Sequence, residues 1–316
     1  MTQIATFLAA AGWADAPQAP LAGDASARRY LRLTGPREHA ILMIAPAQDH
    51  AGFAAFLTMA AYLQGLNLSA PRILAADQAN GLMLLEDLGD VTLAQVEGTD
   101  RNIAYAAAAA LLQRIARAPL APGLVALNPS QMAGMANLTF DLLGDADDLR
   151  GAILPGLAEA LATHAGGAPV TALRDYHAEN LMWLPDRHGD AQVGLLDFQD
   201  AAGLPAGYDL ASLLDDVRRD VPADLRQTLI ADFADRAGTT VGAATARIDV
   251  LSLQRNLRIL GVFRRLSLSG KPRYLRFLPR TSDTIRRVLA SPALSGVAAP
   301  VAQLLDRTAP WADGAI

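Results

Sequence analysis

Asp175 and Asn180 stand five residues apart in "RDYHAEN", and Asp197 closes the apolar run "VGLLDF" seventeen residues later. Each residue type suits one part of a phosphoryl transfer. A carboxylate at the first position can take the proton of an attacking hydroxyl. An amide oxygen and a second carboxylate can hold a hard divalent cation, which prefers oxygen ligands. A carboxylate at the end of a buried strand is held rigidly, and phosphoryl transfer depends more on positioning and electrostatics than on covalent chemistry. Singly, these residues also suit turns and strand ends. Together, in this order, they predict Asp175 as base and Asn180 with Asp197 as magnesium ligands.

Around them, Asp209 in "GYDLASLL" opens an apolar helical run, where it could cap the helix, and is expected to brace the loop that carries Asp175. His177 is expected to orient the same loop, because a zinc site needs three or four ligands and the chain has no cysteine. His188 lies in the polar turn "PDRHGD" and reads as solvated.

The elements that must position these groups fall into two parts. Residues 3–12 read as a short helix. Strands Tyr30–Leu33 and Ala40–Ile44 flank the turn "TGPRE", and a helix runs over 50–65 with Gly65 as its stop. A second hairpin turns at Asp77–Gly81. This describes a small antiparallel sheet with one helix over residues 1–88. Residues 89–316 read as mostly helical: 101–117, 131–164, 208–219, 223–237, 242–268 and 280–290, with a short hairpin of strands Leu181–Leu184 and Val193–Phe198 set among them. The expected fold class is α+β and two-lobed, with a hinge near Glu86–Gly89. Clefts between lobes are common ligand sites.

Composition narrows the function. The 316 residues are 52% hydrophobic and carry a net charge of −5. An acidic chain with a pI near 5.5 argues against nucleic acid as partner. The absence of cysteine excludes disulfides and thiolate chemistry. "MTQIATFLAAAGW" has no basic n-region, and no apolar run is long enough to span a bilayer. A cytoplasmic monomer without membrane partners is expected. Lys271 is the only lysine, so any chemistry that needs a lysine must use it or do without.

"LRDYHAEN", "LLDFQDAAGLPAGYDLA" and "LMLLEDLGD" resemble the motifs of the aminoglycoside phosphotransferase superfamily, whose fold is like that of protein kinases. Leu173 stands where that family usually has a histidine. Three further stretches, "GDASARRYLRL", "LLDFQDA" and "LQRNLRILGVF" followed by "GKPRYLRFLPR", are similar to bacterial cell-wall recycling kinases that phosphorylate N-acetylmuramate and N-acetylglucosamine at the anomeric hydroxyl. The resemblance implies ATP and Mg2+ as cofactors, an amino sugar as acceptor, and Asp175, Asn180 and Asp197 in the roles given above. It also implies that the backbone around Glu86 and Leu88 meets adenine.

Two departures matter. The small-residue segment Leu21–Ala27, with Gly23, Asp24 and Ser26, has one glycine where kinases have several, although its amides could still approach phosphate. Strand "AILMIAPA" lacks the usual lysine, and helix "HAGFAAFLTMAAYL" lacks the glutamate that would pair with it. Arg28 and Arg29 are the candidates to replace that lysine. They point to opposite faces of one strand, and Arg28 shares a face with Ser26. Arg255 and Arg258, three apart on one helix, form a basic face suited to the carboxylate of N-acetylmuramate. Other hydroxyl acceptors, such as an aminoglycoside or choline, remain open, as does a nucleotide-binding protein without transfer. The intact Asp175, Asn180 and Asp197 set argues against the last.

Overall fold

A computed structural model of the chain describes residues 3–21, 28–36, 38–46 and 48–314. The segment with Gly23, Asp24 and Ser26 therefore lies outside the described residues. Nine strands are present among the described residues: β1 (Gln18–Pro20), β2 (Arg29–Thr34), β3 (His39–Ile44), β4 (Ile73–Asp77), β5 (Leu82–Glu86), β6 (Pro169–Ala172), β7 (Leu181–Trp183), β8 (Val193–Leu195) and β9 (Ala202–Pro205). The chain divides into two compact units. The first holds 1–114, 121–123 and 178–201; the second holds 115–120, 124–177 and 202–316. The first unit thus extends past residue 88, where the composition of the chain changes. Bridges Thr92↔Met182 and Ser69↔Gly194 bind the β7–β8 hairpin to it.

The first unit is built on an antiparallel sheet of order β1-β2-β3-β5-β4. Register fixes its faces. Leu31, Leu42 and Leu84 lie side by side, as do Arg32, Ile41 and Leu85 in the adjacent row. Period-two alternation sends these rows to opposite faces. The leucine face joins Leu33 and Ala40 in a core that Leu8 of helix Gln3–Ala10 completes. Arg32 reaches from the other face to the segment after β5. It bonds Asp87 at 2.6 Å, Asp90 at 2.5 Å and the Gly89 carbonyl at 3.1 Å, which fixes the backbone beside Leu88. Helix His50–Gly65 begins where Asp49 caps the Gly52 amide at 3.1 Å. Its apolar face of Phe53, Phe56, Met59, Ala60 and Leu63 is buried.

The second unit is helical, apart from the β6–β9 pair. Helix Val241–Leu268 is continuous and buried along most of its length. Around it pack helices Asn137–Leu143, Asp147–His164, Tyr208–Leu214, Ala223–Arg236 and Leu278–Val288. The stretch 131–164, which reads as one helix in the sequence, is three, broken near Ala136 and at Gly144, whose φ is 65°. No described helix is long and apolar enough to cross a membrane.

One close approach sets the packing of the long helix. A Cβ on Gly261 would lie 2.7 Å from both the amide nitrogen and Oγ1 of Thr139, and Thr139 donates to the Leu257 carbonyl at 2.5 Å. Gly261→Ala would gain about 1 kcal/mol of helix propensity but force the two helices apart, at about 1–3 kcal/mol or more. The expected outcome is a lower melting temperature by calorimetry. An unchanged or raised one would show that the helices are not locked here.

Candidate active site

The Asp175 loop belongs to the second unit and is held by a single carboxylate. β6 delivers the chain to Leu173, and Arg174 takes a left-handed conformation with φ 70°, which is unfavourable for a long side chain. Asp209 accepts the Leu173 amide at 2.6 Å and the Arg174 amide at 2.9 Å. It sits in the first turn of helix Tyr208–Leu214 but points away from that helix, which has no side-chain cap. Burial pushes the Asp209 carboxyl up to about 6; the two amides and the charge of Arg255 hold it down from going further. Asp175 follows at once, half-buried.

Arg255 is only 2% exposed. Burial lowers its guanidinium pKa, and the charges of Tyr208, Asp175 and Asp216 oppose that effect. The sequence reading put Arg255 on an open basic face; here it lies within the electrostatic reach of Asp175, while Arg258 on the same helix is half-buried. His177 is buried, and its imidazole pKa is pulled down to about 4, first by burial and then by the positive charge of Arg218. It is therefore neutral near pH 7.

The two residues read as metal ligands belong to the first unit. Asn180 immediately precedes β7, and Asp197 lies two residues beyond β8. The strands pair so that Leu181 faces Leu195, and the Leu196 amide donates to the Asn180 carbonyl at 3.0 Å. The Asn180 amide nitrogen is 3.5 Å from Asp197 Oδ2, and Gln199 donates to Oδ1 at 2.7 Å. Asp197 is exposed, with φ 55°. Phe198 anchors the turn, its ring packed at a tilt of 36° against Phe56, 4.8 Å between centroids. Two oxygen-bearing side chains side by side, one of them a solvent-exposed carboxylate, are of the donor type that suits a hard cation such as Mg2+. Among the described residues no group of three or more His, Asp or Glu forms a metal cluster by itself, so water and phosphate oxygens would supply the other ligands.

Also in the first unit, Arg28 is 7% exposed and Arg29 is exposed. Arg28 bonds Asp49 at 3.0 Å through Nη2, a partner the sequence reading did not find. The Glu86 side chain is taken by Arg187 at 2.9 Å and Arg72 at 3.3 Å, beside a cavity of about 440 Å3. Leu88 is buried against the Gly194 position.

The profile of the phosphotransferase enzyme family matches residues 18–246. The chain is 36% identical to the N-acetylmuramate/N-acetylglucosamine kinase of Caulobacter vibrioides, over 92% of this chain and 93% of that protein. It is 29% identical to the protein of the same name from Pseudomonas putida, over 92% and 90%. A choline/ethanolamine kinase family protein from Mesorhizobium loti superposes with a TM-score of 0.67 at 17% identity, over 95% of this chain and 98% of that one. The expected family resemblance and kinase-like α+β fold are both borne out.

Asp209 and His177 make opposite contributions to stability over one pH window. The folded chain keeps a proton on Asp209 up to about pH 6, whereas the unfolded chain releases it near 3.8. This contribution is full below pH 3.8 and is lost as pH rises through 6. The folded chain refuses a proton on His177 until about pH 4, whereas the unfolded chain binds it near 6.5. That contribution is present above pH 6.5 and is lost as pH falls through 4. Each amounts to about 3 kcal/mol, at roughly 1.4 kcal/mol per unit, so they nearly cancel. Urea melts at pH 4 and 6.5 are expected to give Asp209→Asn a stability that rises with pH relative to wild type, and His177→Gln one that falls. Slopes of the same sign in both variants would refute these assignments.

Proposed function

The chain belongs to the phosphotransferase enzyme family, and we propose that it transfers the γ-phosphoryl group of ATP to the anomeric hydroxyl of an N-acetylated amino sugar. N-acetylmuramate and N-acetylglucosamine are the substrates, and the product is the sugar 1-phosphate, made in the cytoplasm during peptidoglycan recycling. The observation that carries this reading is the 36% identity across nearly the whole of both chains with a kinase named for those two sugars. Asp175, Asn180 and Asp197 supply the groups that the reaction needs.

In this mechanism Asp175 accepts the proton of the C1 hydroxyl. The hydroxyl oxygen bonds to the γ-phosphorus as the bond to the ADP oxygen breaks. Asp175 must sit on a stiff backbone to act this way, and the bond pair from Leu173 and Arg174 to Asp209 provides that. Asn180 and Asp197 would hold Mg2+, which supplies positive charge to the phosphate oxygens when bound. The backbone near Glu86 and Leu88 would meet adenine. Segment 21–27, with Gly23, Asp24 and Ser26, would offer amides to the phosphates, and Arg28 the charge that a lysine gives elsewhere. Arg258 remains the arginine assigned to the acceptor. Arg255, being enclosed, acts on it through the field at Asp175.

Asp175→Asn is expected to retain the fold and bind Mg·ADP normally while losing roughly 10²–10⁴-fold in kcat. Turnover near the wild-type rate would remove Asp175 from the role of base. An ADP-release assay over amino sugars, choline and aminoglycosides tests the acceptor class. N-acetylmuramate or N-acetylglucosamine is expected to turn over, and its 1-O-methyl glycoside is expected to be inert. A methyl glycoside consumed at a comparable rate would mean that another hydroxyl is the acceptor.

A further inference from the structure

In protein kinases a strand lysine reaches the phosphates and is aimed by a glutamate on the neighbouring helix. This chain has no lysine on β3 and no glutamate in helix His50–Gly65. The first unit nevertheless contains an ion pair between the nucleotide strand and that helix. Arg28, just before β2, places Nη2 at 3.0 Å and Nε at 3.3 Å from Asp49 Oδ2. Asp49 is the N-cap of the helix, and its other oxygen accepts the Gly52 amide. One carboxylate therefore sets both where the helix starts and where the guanidinium points.

Two further observations support a place for this pair near the nucleotide, and a third shows how tightly it is packed. Arg28 directly follows segment 22–27 in the chain, the small-residue stretch whose amides are proposed to approach phosphate. Tyr30, two residues on along an extended strand and so on the same face, hydrogen-bonds Arg28 and lies in the field of Asp197. The contacts also leave room for nothing else. A Cβ on Gly52 would meet Asp49 Oδ1 and lie 2.7 Å from Arg28 Nη2, so the pair occupies the space that any other residue at position 52 would fill.

We propose that the Arg28–Asp49 pair replaces the lysine–glutamate pair: Arg28 contacts the nucleotide phosphates, and Asp49 is the positioning residue that aims it. This rests on the kinase reading above. It adds that helix His50–Gly65 and the phosphate cation move as one body, joined through the helix cap.

Asp49→Asn separates the two duties of Asp49. Asparagine caps a helix about as well as aspartate, but it removes the charge that holds Arg28. Calorimetric titration with Mg·ADP and steady-state kinetics are the readouts. Expected are a melting temperature within a few degrees of wild type, roughly ten- to a hundredfold weaker Mg·ADP binding and kcat/KM for ATP, and an acceptor KM within about twofold. Arg28→Lys should recover part of the loss seen in Arg28→Gln, because it keeps the charge and one bond. Gly52→Ala changes no charge, yet its methyl must dislodge the pair and with it the Asp49 cap; it should show the same nucleotide defect with a melting temperature lowered by the few degrees that a lost cap costs. Folded Asp49→Asn and Gly52→Ala proteins that bind Mg·ADP within twofold of wild type would overturn the proposal and leave the kinase reading intact. A wild-type protein that binds no nucleotide would overturn both.

Discussion

The Asp209 carboxylate is the constraint on which the Asp175 loop depends. Two consecutive amides, those of Leu173 and Arg174, converge on it, and two such donors can converge only if the chain between them turns sharply. Arg174 makes that turn in a left-handed conformation, which costs about 1–2 kcal/mol for a residue with a Cβ. Two charge-assisted hydrogen bonds, each worth about 1.5–3 kcal/mol, are enough to hold it. The carboxylate itself is buried at a cost visible in its raised pKa. Arg255, buried in the long helix beneath the loop, offsets part of that cost and extends its field to Asp175 as well. The second unit thus buries opposite charges together, and breaking one partner of such a set strands the others in a medium that solvates them poorly.

In the first unit, helix His50–Gly65 plays the corresponding part. Its N-terminus holds Arg28 through Asp49, and its buried face holds Phe198, next to Asp197, through Phe56. The cation assigned to phosphate and the carboxylate assigned to metal are therefore fixed to the same rigid rod. A 16-residue helix is stiff over its length, so the spacing of these two groups does not depend on the sheet alone. Arg32 does similar work at the other end of β5, tying Asp87, Gly89 and Asp90 to β2 across the width of β3. In the proposed function the sheet would position backbone for a base, and the helix charge for phosphate and metal.

Much of this was legible in the residues. Helix His50–Gly65, the two hairpins of the first unit and the strands on either side of "PDRHGD" follow from periodicity and turn chemistry, and they are present within a few residues. The short strands β1, β6 and β9 were not expected. Three or four residues carry too few alternations to signal a strand, and their pairing depends on partners far along the chain. The helix Ala298–Thr308 was missed as well. The burial of Arg255 is not legible in the sequence, for a physical reason. A helix packed on several sides has no polar face for periodicity to reveal, so an arginine at helical spacing looks exposed until its counter-charges are located.

Asp49 escaped notice for a different reason, and it explains why the missing lysine looked more serious than it is. In the lysine–glutamate arrangement the partner acid lies inside the helix. An arginine arriving from the start of β2 meets the helix at its N-terminus, where an interior glutamate could not reach it. An aspartate at the cap can, and there it meets two needs at once: the exposed amides of the first turn want an acceptor, and the guanidinium wants a counter-charge. The change of cation, from lysine on β3 to arginine before β2, therefore brings with it the change of anion, from a glutamate within the helix to an aspartate at its start. On the proposed reading, the loss of one pair and the presence of the other are a single rearrangement of the same electrostatic contact.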